Sequence, residues 1–201
     1  MFAFLLVLAC AEDLSKSAPA AKVEAPVAPP PVAPPPVAAP AAAPVGTPVA
    51  IDPARSSISA RGAKITKTHD IQFPEFAGSL RVEGEKLVGV EVTVKMAALV
   101  ADSEKLTGHL KNEDFFSVDT LPESKFTGTV ADGVVKGDLT LHGVTRPVEF
   151  PATVAIDATT VSADAEFTIN RHDFGVSYPG KPDDLIQDSV VLKVKLVAGR
   201  P

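Results

Sequence analysis

Few side chains in this 201-residue sequence could do chemistry. Four histidines, His69, His109, His142 and His172, are the candidates for proton transfer or metal ligation. None lies three or four residues from another, so no helix face or short turn presents a ready ligand pair. Only convergence in the fold could join them, and no metal site is assigned. The sequence contains no G-x-S-x-G elbow, no glycine-rich phosphate loop and no H-E-x-x-H helix. Asp183, Asp184 and Asp188 cluster without the spacing of a calcium loop and read as solvated loop charge. In "NRHDFG", Arg171 reads as half of an ion pair with Asp173 or Asp183, with contact to a ligand head group as the functional alternative. No titratable residue falls on an inward strand position in the pattern below. The residues therefore predict a protein that is not an enzyme and carries no cofactor.

The remaining reactive group is Cys10, the only cysteine. It follows the apolar run "MFAFLLVLA", which is far shorter than the ~20 residues needed to span a bilayer. Val7-Leu8-Ala9-Cys10 resembles a bacterial lipobox, in which the signal is cleaved and the cysteine is lipidated. Residues 1–10 are therefore expected to be a lipoprotein signal ending at its modified cysteine, although no Lys or Arg precedes the apolar run. Ala11 after the cysteine favours the outer membrane of a bacterial envelope. Residues 11–49 are rich in Ala and Pro and include "APPPVAPPPVAAP". Proline removes a donor and fixes φ, which excludes helix and sheet, so a disordered polyproline tether is expected. The net charge of −6 argues against nucleic acid as a partner.

From residue 50 to 201 the pattern alternates with period two, the mark of half-buried strands. In "VGVEVTVKM", Val88, Val90, Val92, Val94 and Met96 share a face. Phe126, Gly128 and Val130 do so in the next strand, then Val135, Gly137, Leu139 and Leu141, with Asp132-Gly133 as the hairpin turn between them. Phe150, Ala152, Val154 and Ile156 make a further face. Val161, Ala163, Ala165, Phe167 and Ile169 follow, then Val190, Leu192, Val194 and Leu196. About eight strands, mostly antiparallel, predict an all-β sandwich or barrel. Small residues at Gly128, Gly137, Ala152, Ala163 and Ala165 leave room inside, which favours a barrel holding one small ligand.

One short helix interrupts the strands. "DSEKLTGHLK" offers Asp102 or Ser103 as N-cap and sets Leu106 and Leu110 on one face. It runs into "NEDFFSV". Adjacent strand residues point to opposite faces, so Phe115 and Phe116 are expected in a turn where both can swing inward. The segment reads as a lid, with Asp114 capping local backbone.

"GHLKNEDFFSVDTLPESKFTG" resembles the signature of the YceI-like family of bacterial secreted proteins. "KITKTHDIQFPEFAGSL", "VKGDLTLHGVTRPVEFP" and "FTINRHDFGVSYPGKPDDLIQDSVVLKVKL" match in the same order, covering about residues 50–198. Thr107 departs from the pattern, which often has an acidic residue there. The resemblance implies a lipocalin-like antiparallel β-barrel with an elongated apolar cavity. It also implies binding of a long-chain isoprenoid or isoprenoid-quinone-like lipid, without enzymatic activity. On that reading Val90, Val92, Val94, Phe126, Leu139, Leu141, Phe167 and Val194 form the wall. Leu106, Leu110, Phe115 and Phe116 close one end. The partners expected are the apolar lipid and a membrane reached through Cys10, with a homodimer left open. The competing reading is a structural or stress-related envelope module with a filled interior.

Overall fold

Strand segments with one apolar face are stable only when that face is buried against another. The computed structural model, which describes residues 13–24 and 46–200, meets this need with two antiparallel sheets. The first runs β1 (Lys22–Val23), β10 (Val144–Pro151), β9 (Val134–Leu141), β8 (Glu123–Ala131), β6 (Lys86–Lys95), β5 (Phe76–Glu83), β2 (Thr47–Ala50). The second runs β11 (Thr153–Ile156), β12 (Thr160–Asn170), β15 (Ser189–Gly199), β3 (Ser57–Ala63), β4 (Thr68–Gln72), β7 (Val100–Ala101). A small ribbon pairs β13 (Gly180–Lys181) with β14 (Asp184–Leu185). The one α-helix among the described residues is α1 (Glu104–Lys111). Eight of these strands have seven or more residues, as expected, and short strands extend the sheets beyond them.

The sheets are joined at their margins. Only Ala152 separates β10 from β11, so one chain passes from the first sheet into the second. Ile51 bridges Ala198 on the other side. The inner faces form one continuous apolar cluster. Within it Phe150 of the first sheet stacks on Phe167 of the second, with ring centroids 3.8 Å apart. Asp132-Gly133 and His142-Gly143 both have positive φ at each residue, as two-residue hairpin turns of this hand require.

The structure differs from the sequence expectation at four places. Val88 leaves the inward face, because the β5–β6 register shifts between Arg81 and Val82 and sets Leu87, not Val88, opposite Val82. The strand expected through Ala152 is two strands, broken where the chain changes sheets. Gly128 and Gly137 do not open space. They face each other in the β8–β9 ladder, and a Cβ on Gly128 would lie 2.6 Å from the Lys136 carbonyl oxygen and 2.8 Å from the Phe126 ring. Their role is close backbone approach.

The fourth difference concerns the N-terminal segment. The tether was expected over 11–49, yet residues 13–24 are docked. Leu14 is fully buried against Ala63 and Val191 on the outer face of the second sheet. Pro19 and Ala21 exchange backbone hydrogen bonds with Thr168 of β12, and Lys22–Val23 pairs with β10. This strap fills the seam where β10 and β12 diverge, and Ala21 and Val23 join the main core. Chain also pairs again from Thr47, ahead of the boundary expected at residue 50. The signal run, Cys10 and the proline-rich residues 25–45 lie outside the described residues.

Candidate functional site

Between the sheets lies a cavity of about 250 Å³. Its walls follow from alternation: over part of each of β6, β8, β9, β12 and β15, alternate residues line it. Val90, Val92, Val94, Phe126, Leu139, Leu141, Phe167 and Val194 all line it. Ala152, Ala163 and Ala165 line it too, and their missing bulk is the reason space remains there.

α1 closes one end. Ser103 is its N-cap and accepts from the Leu106 amide. Thr107, at the departing position, donates to the Ser103 carbonyl and accepts from the Ala101 amide, so its hydroxyl fastens α1 to β7. The turn after α1 carries Phe115 and Phe116, and both line the cavity with Leu106 and Leu110. Phe115 is buried while Phe116 is partly exposed. Asp114 does not cap the backbone. Asn112 does, accepting from the Asp114 amide, because its side chain sits two residues back where an Asx turn forms. Asp114 instead meets His109 at 3.1 Å. His109 in turn packs edge-on against Phe115 and Tyr178, with centroids 5.0 and 5.1 Å away.

The polar lining consists of Lys64, His69, Ser124, Lys125 and Arg171. All come from strand ends on the α1 side. Lys64 is 34% exposed, so the cavity reaches solvent beside it; the Lys125 ammonium turns out to Glu123. Sequence reasoning missed the first four. Ser124 was legible, since it shares parity with Phe126. His69 lies on β4, a strand outside the alternating pattern read from the sequence, and adds a titratable inward residue to it. It shares parity with Ile71 on β4, and both line the cavity. Its Nδ1 lies 3.0 Å from Asp102, and that hydrogen bond holds the Asp102 carboxyl below its usual range.

Arg171 also borders the cavity but has no donor to spare. Its Nε donates to the Gln187 carbonyl and Nη1 donates to Val176 and Tyr178. Nη2 reaches Ile186 and the Asp188 carboxylate. The head-group role therefore fails on donor count, and the ion partner is Asp188 rather than Asp173 or Asp183. Asp184 is no free loop charge either. It accepts from Lys64 at 2.6 Å, which holds its carboxyl below the usual range. No group of three His, Cys, Asp or Glu among the described residues is placed to hold a metal ion.

A UPF0312 protein of Pseudomonas putida strain W619 is 33% identical over 122 residues, covering 54% of this chain and 64% of that protein. One from Photorhabdus laumondii is 40% identical over 83 residues, covering 38% and 43%. The matched stretches thus span less than two thirds of these curated relatives. The crystal structure of Burkholderia cenocepacia BcnA superposes with a TM-score of 0.67 at 25% identity, covering 74% of this chain and 99% of that one. A polyisoprenoid binding domain from Saccharophagus degradans, implicated in plant cell wall breakdown, superposes at 0.64 with 16% identity, covering 76% and 98%. The family model described as YceI-like domain matches residues 50–198, which hold both sheets apart from β1 and most of β2, and the chain belongs to that family.

Proposed function

We propose that the protein binds a long apolar lipid of isoprenoid or isoprenoid-quinone type in its cavity, without catalysing a reaction, at the bacterial cell envelope. The observation that carries this reading is the apolar cavity itself. At about 250 Å³ it lies just below the range of small-molecule sites, ~300–1,000 Å³, so it suits a segment of chain rather than a bulky head group. Lys64 and His69, at the polar end of an otherwise apolar lining, suit the hydrated end of an amphiphile. The name of the Saccharophagus degradans neighbour supports the ligand class. Cys10 is the proposed lipid anchor, and the apolar run before it supports an envelope address.

Burial contributes about 0.8 kcal/mol per CH₂, so affinity for a series of straight-chain alcohols should rise about fourfold per added carbon. The rise should stop when the chain outgrows the cavity. Native mass spectrometry of the full chain, with organic extraction of what it carries, tests the reading. A protein that neither carries nor takes up polyprenols or alkyl alcohols would sink it.

A further inference from the structure

The cavity mouth, the start of the strap and an exposed apolar pair all lie on one end of the molecule. Among the described residues three large apolar side chains are exposed: Ile65 at 55%, Val100 at 50% and Leu185 at 46%. Ile65 and Leu185 are neighbours, since the Ile65 amide donates to the Leu185 carbonyl at 3.1 Å. Each adjoins a residue that lines the cavity, Lys64 and Ile186, and these two bridge each other. The pair thus stands on the rim of the mouth. Exposed apolar side chains grouped at the opening of an apolar cavity mark an interaction surface.

The strap fixes what that surface meets. Leu14 packs on Ala63, two residues before Ile65, and its amide donates to the side chain of Gln187, two residues after Leu185. Cys10 is four residues before Leu14. Four extended residues reach at most ~14 Å. The proline-rich run begins only after the strap, so it does not set the distance between Cys10 and this rim.

We propose that the rim bearing Ile65 and Leu185 docks on the lipid bilayer, with the cavity mouth facing it. The reading of the cavity as a lipid site supplies the purpose, and the docking stands on the short length of chain between Cys10 and Leu14 and on the rim. Ile65 and Leu185 enter the boundary between head groups and acyl chains, as apolar side chains of interfacial segments do. Of the cations beside them, Lys64 is paired with Asp184 and Lys67 with Asp102, while Lys181, opposite Asp184 in the β13–β14 ribbon, is exposed. The far end is a sharp contrast. β15 begins two residues after Gln187, whose amide bonds Ala63 beside the rim, and ends at Gly199, just before Arg200, whose guanidinium bonds Gly84 in the β5–β6 turn. Its eleven residues put the two ends roughly 36 Å apart.

The chain has no tryptophan, so one can be placed as a sole reporter. I65W, L185W and, at the far end, E85W are made in the full chain. Each is coupled through the Cys10 thiol to a maleimide phospholipid in phosphatidylcholine vesicles. I65W and L185W are expected to shift to the blue and lose intensity when dibrominated lipids replace the host lipid, while E85W does neither. Equal, water-like emission from all three overturns the docking. So does a blue shift of I65W already present without vesicles, which marks pairing with a second copy. The same vesicles loaded with a polyprenol separate the two readings. Quenching at the rim without polyprenol uptake leaves the docking and removes the cavity ligand, and uptake without quenching does the reverse.

Discussion

Arg171 is buried to 6% exposure, yet it keeps all five N–H donors satisfied by four carbonyls and one carboxylate. Burial pushes its pKa down from the usual value, and Asp188 opposes that shift. Its substitution by methionine would keep bulk and strip the donors, leaving carbonyls of Val176, Tyr178, Ile186 and Gln187 without partners. Each orphaned group costs ~1–3 kcal/mol, so with four of them R171M should lose at least about 4 kcal/mol. R171K should recover little, since an ammonium cannot span a planar five-donor array. Urea unfolding midpoints measure both, and an R171M midpoint equal to the parent's would refute the assignment. The motif "NRHDFG" singled out this arginine from sequence. Its partners were not legible, because backbone carbonyls have no residue identity to read. A carboxylate does, and that pulled the expectation towards Asp173 and Asp183.

At the scale of elements, turns were the most legible and the strap the least. Asp132-Gly133 announces its hairpin by residue type, and Ser103 announces the helix start. The strap had one indirect signal. Val191 and Val197 share the outer face of β15 with Lys193 and Lys195, and Val191 is 1% exposed because Leu14 covers it. An apolar residue on a lysine face asks for a cover, but alternation says nothing about which distant segment supplies it. L14A should loosen the strap with a penalty of about 2–4 kcal/mol on its docking. In hydrogen exchange the Ala21 and Thr168 amides, which bind across the seam, should exchange faster than in the parent, while the Leu192 amide in mid-sheet should not. Unchanged protection at Ala21 would show that Leu14 does not hold the strap.

The β11–β12 turn offers a pH test at the same scale. Asp157 accepts from the amides and hydroxyls of both Thr159 and Thr160, and these bonds hold its carboxyl far below the ordinary value. A depressed folded pKa gives stability that is complete above the unfolded value near ~3.9 and is lost as pH falls through the folded value. D157N should therefore melt below the parent at neutral pH. The gap should narrow as pH drops below about 4. A gap that stays constant from neutral pH to acid would mean that ionisation of Asp157 is not what stabilises the turn.

For the whole molecule the question is whether the interior is a binding site or an under-filled core. The sequence made the fold legible through alternation, and it made the cavity legible in part, through Ala152, Ala163 and Ala165. It could not separate those from Gly128 and Gly137, because a small residue marks either open space or close backbone contact, and only the register tells which. Substitution at Ala165 distinguishes the two roles of the interior. A benzyl group there would enter the cavity, and an engineered cavity of about 150 Å³ already holds a benzene ring. With about 250 Å³ available, A165F has space to turn into. The packing gain of a filled void offsets strain, so the thermal midpoint should stay near the parent's or rise. Uptake of alkyl alcohols should fall at least about tenfold, a loss of ~1.4 kcal/mol, because the ring occupies what the chain would bury. An unchanged uptake would place the ligand elsewhere, and a sharp loss of stability would mean that the space around Ala165 is not open. Envelope phenotypes of A165F then separate the two functions: a module acting only through its surface keeps its activity with a plugged interior, and a lipid carrier loses it.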